Sequence, residues 1–389
     1  MDIQKNDKTY IANTYARFPV TLVKGKGSRV TDENGKEYID MGSGIGVTAF
    51  GIADDVWKDA VTGQLNSLQH MSNLYYTSPC VRLAELLCKR TGMKKVFFCN
   101  SGAEANEGAI KGARKYAAEK KGPQYYNIIT LKNSFHGRTL TTLAATGQDV
   151  FHKLFQPLTP GFIHVEAGDI EAMRLAVKEN PTAGIMIEVI QGEGGVNVLA
   201  KDYVQAVAKL CEEEDIILIV DEVQTGNGRT GKLYAYMNYD IQPDIVSTAK
   251  GIGGGLPLGA VLFGAKTQDV LGPGDHGSTF GGNPVCCAGA LSILERLDDD
   301  FLSSVREKSA YVFNTLKGCE GIEGVYGMGL MIGIKTVRPA KEIVNRCIEN
   351  GVLCLTAKDK VRLLPALNIP MEDLKQAISV IKDAAKEGL

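Results

Sequence analysis

Short apolar runs of strand length recur along the chain, each followed by a polar or glycine-rich stretch and then by a helical pattern. They fall at residues 95–99 (KVFFC), 126–131 (YNIITL), 162–165 (FIHV), 185–190 (IMIEVI), 216–220 (IILIV), 244–248 (DIVST) and 260–263 (AVLF). Between them, Ala109, Ile110, Ala113, Tyr116 and Ala117 share one face of a helix over 105–120. Val204, Val207, Leu210 and Cys211 do the same over 202–214. Strands that are apolar at nearly every position, rather than at alternate ones, are buried on both faces. Their alternation with helices predicts an α/β domain over residues 56–285, built on a mixed, mostly parallel sheet of seven strands.

The two ends are patterned differently. Residues 24–40 read as a hairpin that turns at Asp32, Glu33, Asn34 and Gly35. Past residue 300, helices alternate with short strands at 351–356 and 361–364, and 374–381 reads as a closing helix. Residues 286–389 are therefore expected to form a smaller α+β domain, to which residues 1–55 contribute.

Composition narrows the function classes. The 389 residues are 44% hydrophobic and 23% charged, with a formal net charge of −2. A chain so apolar and so nearly neutral is expected to fold, and it gives no reason to expect nucleic acid or a membrane surface as partner. No apolar run reaches the ~18 residues of a membrane span. The opening MDIQKNDKTY lacks the apolar core of a secretory signal. Nine scattered cysteines without a CxxC spacing then read as free thiols in a reducing cytoplasm, and no metal site is expected. Forty-four glycines exceed the about 27 that a usual share of roughly 7% would give, and they cluster after the strands.

Ligands of open α/β sheets bind beyond the carboxyl ends of the strands, so the residues leaving each strand carry the candidate chemistry. After 95–99, Ser101 and Glu104 fit a capping box, and Gly102 opens a helix whose free N–H groups suit an anion. Taken alone, the segment fits an ordinary capped helix better than an anion site. After 126–131 come Phe135, His136 and Arg138, able to stack on a ring and to bind a carboxylate, or to form a plain surface turn. Glu188 is expected inside an otherwise apolar strand, where a carboxylate needs a partner. Asp221 follows five apolar residues and is expected to be buried. Lys250 leaves the next strand just before Gly251-Ile252-Gly253-Gly254-Gly255. A partly desolvated lysine gives up its proton more readily and attacks carbonyls. An anion cradle, a stacking ring, a buried carboxylate and a lysine amine are together the parts of a pyridoxal-phosphate site.

The segments SGAEANEGA, FHGRT, QGEGG, VDEVQTGNGRTG, TAKGIGGGLPLG and STFGGNP, with Asn13 to Val20 before them and Val361 to Pro365 after, resemble the class III (ω-amino) aminotransferases from end to end. Within that family the chain is most similar to members acting on acetylornithine. The resemblance implies fold type I of the pyridoxal-phosphate transferases and a homodimer with shared active sites. It implies that Lys250 links covalently to the cofactor, that Asp221 meets the pyridine nitrogen and that Gln224 approaches the phenolic oxygen. Gly102 and Ala103 would give N–H groups to the phosphate, Phe135 would stack on the ring, and Val223 belongs to the same cofactor set. Thr279 would reach the phosphate held by the partner subunit, with Ser278 beside the substrate.

By the same resemblance Arg138 takes a substrate carboxylate, while Glu193 masks Arg362 for the amino donor and frees it for glutamate or 2-oxoglutarate. The implied reaction moves the terminal amino group of N2-acetylornithine to 2-oxoglutarate, giving N-acetylglutamate semialdehyde and glutamate, a step of arginine biosynthesis. Succinylornithine, ornithine and 4-aminobutyrate stand as alternative donors. A pyridoxal-phosphate racemase or mutase, or a binding protein that kept the fold, are readings from other classes. Gly51-Ile52-Ala53 departs from the Gly-His common at that place in acetylornithine enzymes.

Overall fold

The computed structural model describes residues 2–386. Near the N-terminus, β1 (Leu22–Lys26), β2 (Arg29–Asp32) and β3 (Glu37–Asp40) form an antiparallel meander. Asp32 shapes the predicted turn: its Oδ1 accepts the N–H groups of Asn34 and Lys36, each at 2.9 Å.

The central strands are β4 (Lys95–Cys99), β5 (Asn127–Leu131), β6 (Phe162–Val165) and β7 (Thr182–Ile187). A short hairpin of β8 (Ile190–Gln191) and β9 (Asn197–Val198) follows. Then come β10 (Ile217–Asp221), β11 (Ile245–Thr248) and β12 (Gly259–Phe263). Seven of these make one sheet in the order β4-β12-β11-β10-β7-β5-β6. Only β12 runs against its neighbours.

The reason for the near-continuous apolar pattern is visible in β10. Leu218 and Val220 enter one apolar cluster, and Ile217 and Ile219 enter another on the opposite face. The second cluster is built largely by the helix Gly102–Lys121, through Ala105, Ala109, Ile110 and Ala113. That helix lies close to the sheet because it offers glycines. An added Cβ on Gly108 or Gly112 would come 3.0 Å from Val261 or Phe263.

One predicted strand is shifted. β7 ends at Ile187 rather than reaching residue 190, so Glu188 stands at the strand exit and not inside it. The ladder to β10 stops at Ile187. The Glu188 carboxylate instead accepts N–H groups from loops, Phe135 at 2.8 Å and Gly192 at 3.4 Å.

At the C-terminal end, β13 (Ile322–Met328), β14 (Met331–Thr336), β15 (Val352–Leu353), β16 (Leu355–Ala357) and β17 (Lys360–Leu363) are followed by the helix Met371–Lys386. Four of the strands form an antiparallel sheet in the order β13-β14-β17-β16. The fifth, β15, pairs parallel with β3 and ties the two chain ends together.

Candidate active site

The sheet brings strand exits together. β10 lies between β7 and β11, so Glu188, Asp221 and Lys250 leave three adjacent parallel strands on the same side. A cavity of about 670 Å³ opens there, lined by Asn100 to Ala103, Asn106, Phe135 to Arg138, Glu188, Asp221, Val223, Gln224 and Lys250. Tyr15 of the N-terminal segment closes part of its rim.

Lys250 follows β11 by two residues and holds φ at +50°, a left-handed conformation that a non-glycine residue keeps only under constraint. Its amine makes no hydrogen bond or ion pair among the described residues. Burial lowers its pKa, opposed by the carboxylate of Glu193 and reinforced by the cation of Arg362. A lysine so placed gives up its proton at lower pH than one in water.

Asp221 is buried at the end of β10, and three donors converge on its carboxylate. Val223 N meets Oδ1 at 3.0 Å, while Asn106 Nδ2 and His136 Nδ1 meet Oδ2 at 2.7 and 2.8 Å. Asn106 Nδ2 also donates to His136 O at 2.7 Å, which fixes the histidine from the helix side. With Asp221 as acceptor, Nδ1 of His136 carries the hydrogen. The other ring nitrogen, Nε2, is buried without a partner among the described residues, as is Asn106 Oδ1. Glu188 sits behind Phe135, and burial raises its pKa to about 7, with Asp221 adding to the rise and His136 opposing it.

Opposite Asp221 lies the start of the helix Gly102–Lys121. Ser101 caps it through Oγ to Glu104 N at 3.2 Å. The expected capping box is altered. The Glu104 carboxylate reaches past Ser101 to Asn100 N, at 2.6 Å, because Asn100 is the first residue off β4 and its N–H would otherwise be unpaired. Gly102 and Ala103 line the cavity, and as first-turn residues their N–H groups have no acceptor within the helix. Glycine is required at 102 for packing: a Cβ would lie 2.6 Å from Val223 Cγ1.

At the edge of the cavity, Arg362 Nη1 bonds Glu193 Oε1 at 2.6 Å and Gln224 Oε1 at 3.2 Å, and Gln224 Nε2 returns to Glu193 Oε1 at 3.3 Å. Burial alone would raise the Glu193 pKa, but Arg362 outweighs it and holds the carboxyl below its usual range. Arg138 is exposed at the mouth, its guanidinium 5.4 Å from the Phe135 ring centre and 5.7 Å from that of Phe151. Of the candidate site residues, four lie outside the cavity lining: Glu193 and Arg362, joined to it through Gln224, and Ser278 and Thr279. Ser278 Oγ accepts from Asn100 Nδ2 at 3.0 Å, and Thr279 is exposed beside it.

The family model for class III aminotransferases matches residues 10–385. The chain belongs to the class III aminotransferases. It is 49% identical over 387 residues to the acetylornithine aminotransferase of Haemophilus ducreyi, covering 99% of this chain and 98% of that one. Its fold is similar to the crystal structure of ornithine aminotransferase from Toxoplasma gondii ME49, with a TM-score of 0.94, 32% identity, and 98% and 94% of the two chains covered. It is also similar to N-acetylornithine aminotransferase from Stenotrophomonas maltophilia K279a, with a TM-score of 0.84, 33% identity, and 98% and 97% covered.

Class III aminotransferases depend on pyridoxal phosphate, and the residues of this aminotransferase fit that cofactor. The cavity joins an unpaired lysine amine, a helix start with free N–H groups, a buried carboxylate braced by three donors and an aromatic wall. That Asn106 and His136 both bind the Asp221 carboxylate cannot be read from the sequence. His136 was visible at a strand exit, but its contact with Asp221, 85 residues away, was not. Asn106 had only a faint signal, an amide beside the buried alanines of an apolar helix face.

Proposed function

We propose that this aminotransferase moves the terminal amino group of N2-acetylornithine to 2-oxoglutarate, giving N-acetylglutamate semialdehyde and glutamate, a step of arginine biosynthesis. The observation that carries the reading is the Glu193–Arg362 pair at the cavity edge. An enzyme that alternates between a donor with one free carboxylate and an acceptor with two needs a cation available only part of the time. An arginine already paired with a carboxylate that can move aside supplies one. The names of the curated relatives point to the same donor.

In this reading Lys250 holds the cofactor covalently, Asp221 its pyridine nitrogen and Gln224 its phenolic oxygen. Gly102 and Ala103 hold the phosphate by N–H groups, and Phe135 and Val223 flank the ring. When bound, the cofactor supplies an electron-withdrawing ring that takes up the electron pair left when a substrate C–H bond is cleaved. The protein does the rest. Once the substrate's amine has taken its place on the cofactor, the Lys250 amine, which burial makes easier to deprotonate, would carry a proton to and from the substrate carbon. Asn106 and His136 fix the Asp221 carboxylate, Arg138 binds a substrate carboxylate at the mouth, and Ser278 stands beside the substrate.

The same reading makes the enzyme a cytoplasmic homodimer. Leu74, Tyr75, Tyr76 and Phe280 are exposed apolar side chains. Asn73 Nδ2 bonds Ser278 O at 3.1 Å and Gly281 O at 2.9 Å, joining the two segments that carry them. An apolar surface of this kind supports an interface here, and in this reading Thr279, which lies within it, reaches a partner's phosphate site. The nine cysteines are all unpaired thiols, as suits a reducing compartment.

Steady-state kinetics with 2-oxoglutarate and four donors test the assignment. N2-acetylornithine is expected to give the highest kcat/KM. A higher value for succinylornithine, ornithine or 4-aminobutyrate reassigns the donor. Sedimentation of an active monomer at assay concentration would contradict the dimer.

A further inference from the structure

The loop carrying Glu193 joins β8 to β9, and its shape is imposed from outside. Val196 holds φ at +54° and Gly195 at +112°. A β-branched residue in the left-handed region is strained, and such backbone persists only where its surroundings over-determine it. Two contacts do this. Val196 is fully buried against β14 at Gly333, where an added Cβ would lie 2.9 Å from Val196 Cβ. Asn197 spans the loop, its Nδ2 donating to Gly194 O at 2.9 Å and its Oδ1 accepting from Lys360 Nζ at 3.3 Å.

Lys360 is only 8% exposed. It lies on β17 two residues before Arg362, so the two cations share one face of the strand. Its ammonium also lies 4.8 Å from the centre of the Tyr326 ring and 3.9 Å from Asp359 Oδ1, and its backbone pairs with Lys335 of β14. A nearly buried ammonium is costly where an apolar side chain would serve. What the ammonium adds here is a donor fixed to the strand of Arg362 and aimed at the loop of Glu193.

We propose that Lys360 is a positioning residue for substrate choice: through Asn197 it holds the 193–197 loop so that Glu193 covers Arg362. This rests on the masking role given to Glu193 above. Lys360 reaches the loop through its 3.3 Å bond to Asn197 Oδ1 and makes no bond to Glu193 itself among the described residues.

The test compares variants of the holoenzyme by kinetics and by titration with glutarate, an unreactive dicarboxylate. Lys360→Met removes the donor and keeps the stem, Asn197→Ala removes the acceptor, and Lys360→Arg keeps a donor. Loss of the clamp is expected to tighten glutarate binding about threefold to tenfold, and to raise the ratio of kcat/KM for glutamate over N2-acetylornithine by a similar factor. The double variant Lys360→Met with Asn197→Ala should go no further than either single one, because both cut the same link. Lys360→Arg should restore the wild-type ratio. Equal losses with both donors, or unchanged glutarate binding, overturn the proposal. Arg362→Ala separates the two readings. If it weakens glutarate binding while Lys360→Met leaves it unchanged, the role of Lys360 alone falls. If Arg362→Ala leaves glutarate binding unchanged, the masking role falls and the role of Lys360 with it.

Discussion

Arg362 Nη1 lies 2.6 Å from Glu193 Oε1, which joins a strand of the C-terminal sheet to the loop of the separate β8–β9 hairpin. The arginine side chain is 3% exposed and the glutamate side chain 30%. The guanidinium is therefore fixed, and the carboxylate has room to leave. Arg362→Ala should slow the glutamate and 2-oxoglutarate half-reaction by about a hundredfold or more, roughly 3 kcal/mol, and the donor half-reaction much less. Glu193→Ala should instead favour glutamate as donor. Single-turnover rates of each half-reaction decide it. Equal slowing of both by Arg362→Ala would make the arginine a shared binding residue.

Lys250 is expected to be the site of covalent attachment. The purified enzyme should absorb in the visible, and borohydride should fix the cofactor on Lys250, as read by peptide mass spectrometry. Lys250→Ala should lose both the link and turnover. Wild-type turnover in that variant would end the assignment.

Asp221→Asn keeps nearly the same size, but replaces one carboxylate oxygen by an NH2. That group cannot accept from Val223 N, or from Asn106 and His136, whichever way the amide turns. A loss of about 10²-fold in kcat, near 3 kcal/mol, is expected with cofactor still bound. Unchanged kcat with normal cofactor occupancy would show that another group performs its task.

Gly102 tests the packing of the cradle. Gly102→Ala places a methyl 2.6 Å from Val223 Cγ1. Overpacking of this kind costs about 1–3 kcal/mol, and it should appear as weaker cofactor affinity. Adding Val223→Ala removes the clashing methyls and should restore part of the loss. Equilibrium dialysis of the cofactor on both variants measures it. If Gly102→Ala alone binds normally, the loop yields and the contact is not limiting.

Glu222 offers a pH prediction. It is fully buried; Thr225 Oγ1 donates to it at 2.6 Å and Tyr236 N at 2.7 Å. Burial raises its pKa from 4.5 to about 7. Because the folded value is the higher one, its contribution to stability is complete below pH 4.5 and is lost as pH rises through 7. The full span is worth at most about 3 kcal/mol. Glu222→Gln cannot ionise, so the melting temperature of the variant should gain on that of the wild type between pH 5 and 8. A gap between the two that stays constant with pH would show that Glu222 does not titrate there.

Much of this was legible along the chain. Six of the seven central strands stand within a residue of the apolar runs that predicted them, and β7 lies three residues earlier, because a strand packed on both faces leaves a run that no surface element imitates. Asp221 and Lys250 were legible for a related reason. A charged residue next to such a run has no solvent to face, so its presence calls for a chemical reason. Glu188 was seen and misplaced by one element end: apolar character continues to Ile190, while hydrogen bonding stops at Ile187. Lys360 was not legible at all, since a lysine beside Asp359 reads as a solvated hairpin tip until the strand is seen packed against another loop.

The sequence by itself determined the elements, their order, and which residue types leave the carboxyl end of each strand. Those are properties of contiguous segments, set by the period of burial and by local caps and turns. Tertiary structure alone decided that Asn106 and His136 grip Asp221, that Val223 leaves no room for a side chain at 102, and that Lys360 reaches Asn197. Each of those contacts joins residues 85 to 163 positions apart or depends on a single approach distance. Local pattern carries no information about such contacts, because they are fixed by how the strands order in the sheet and how the C-terminal sheet docks on its exits.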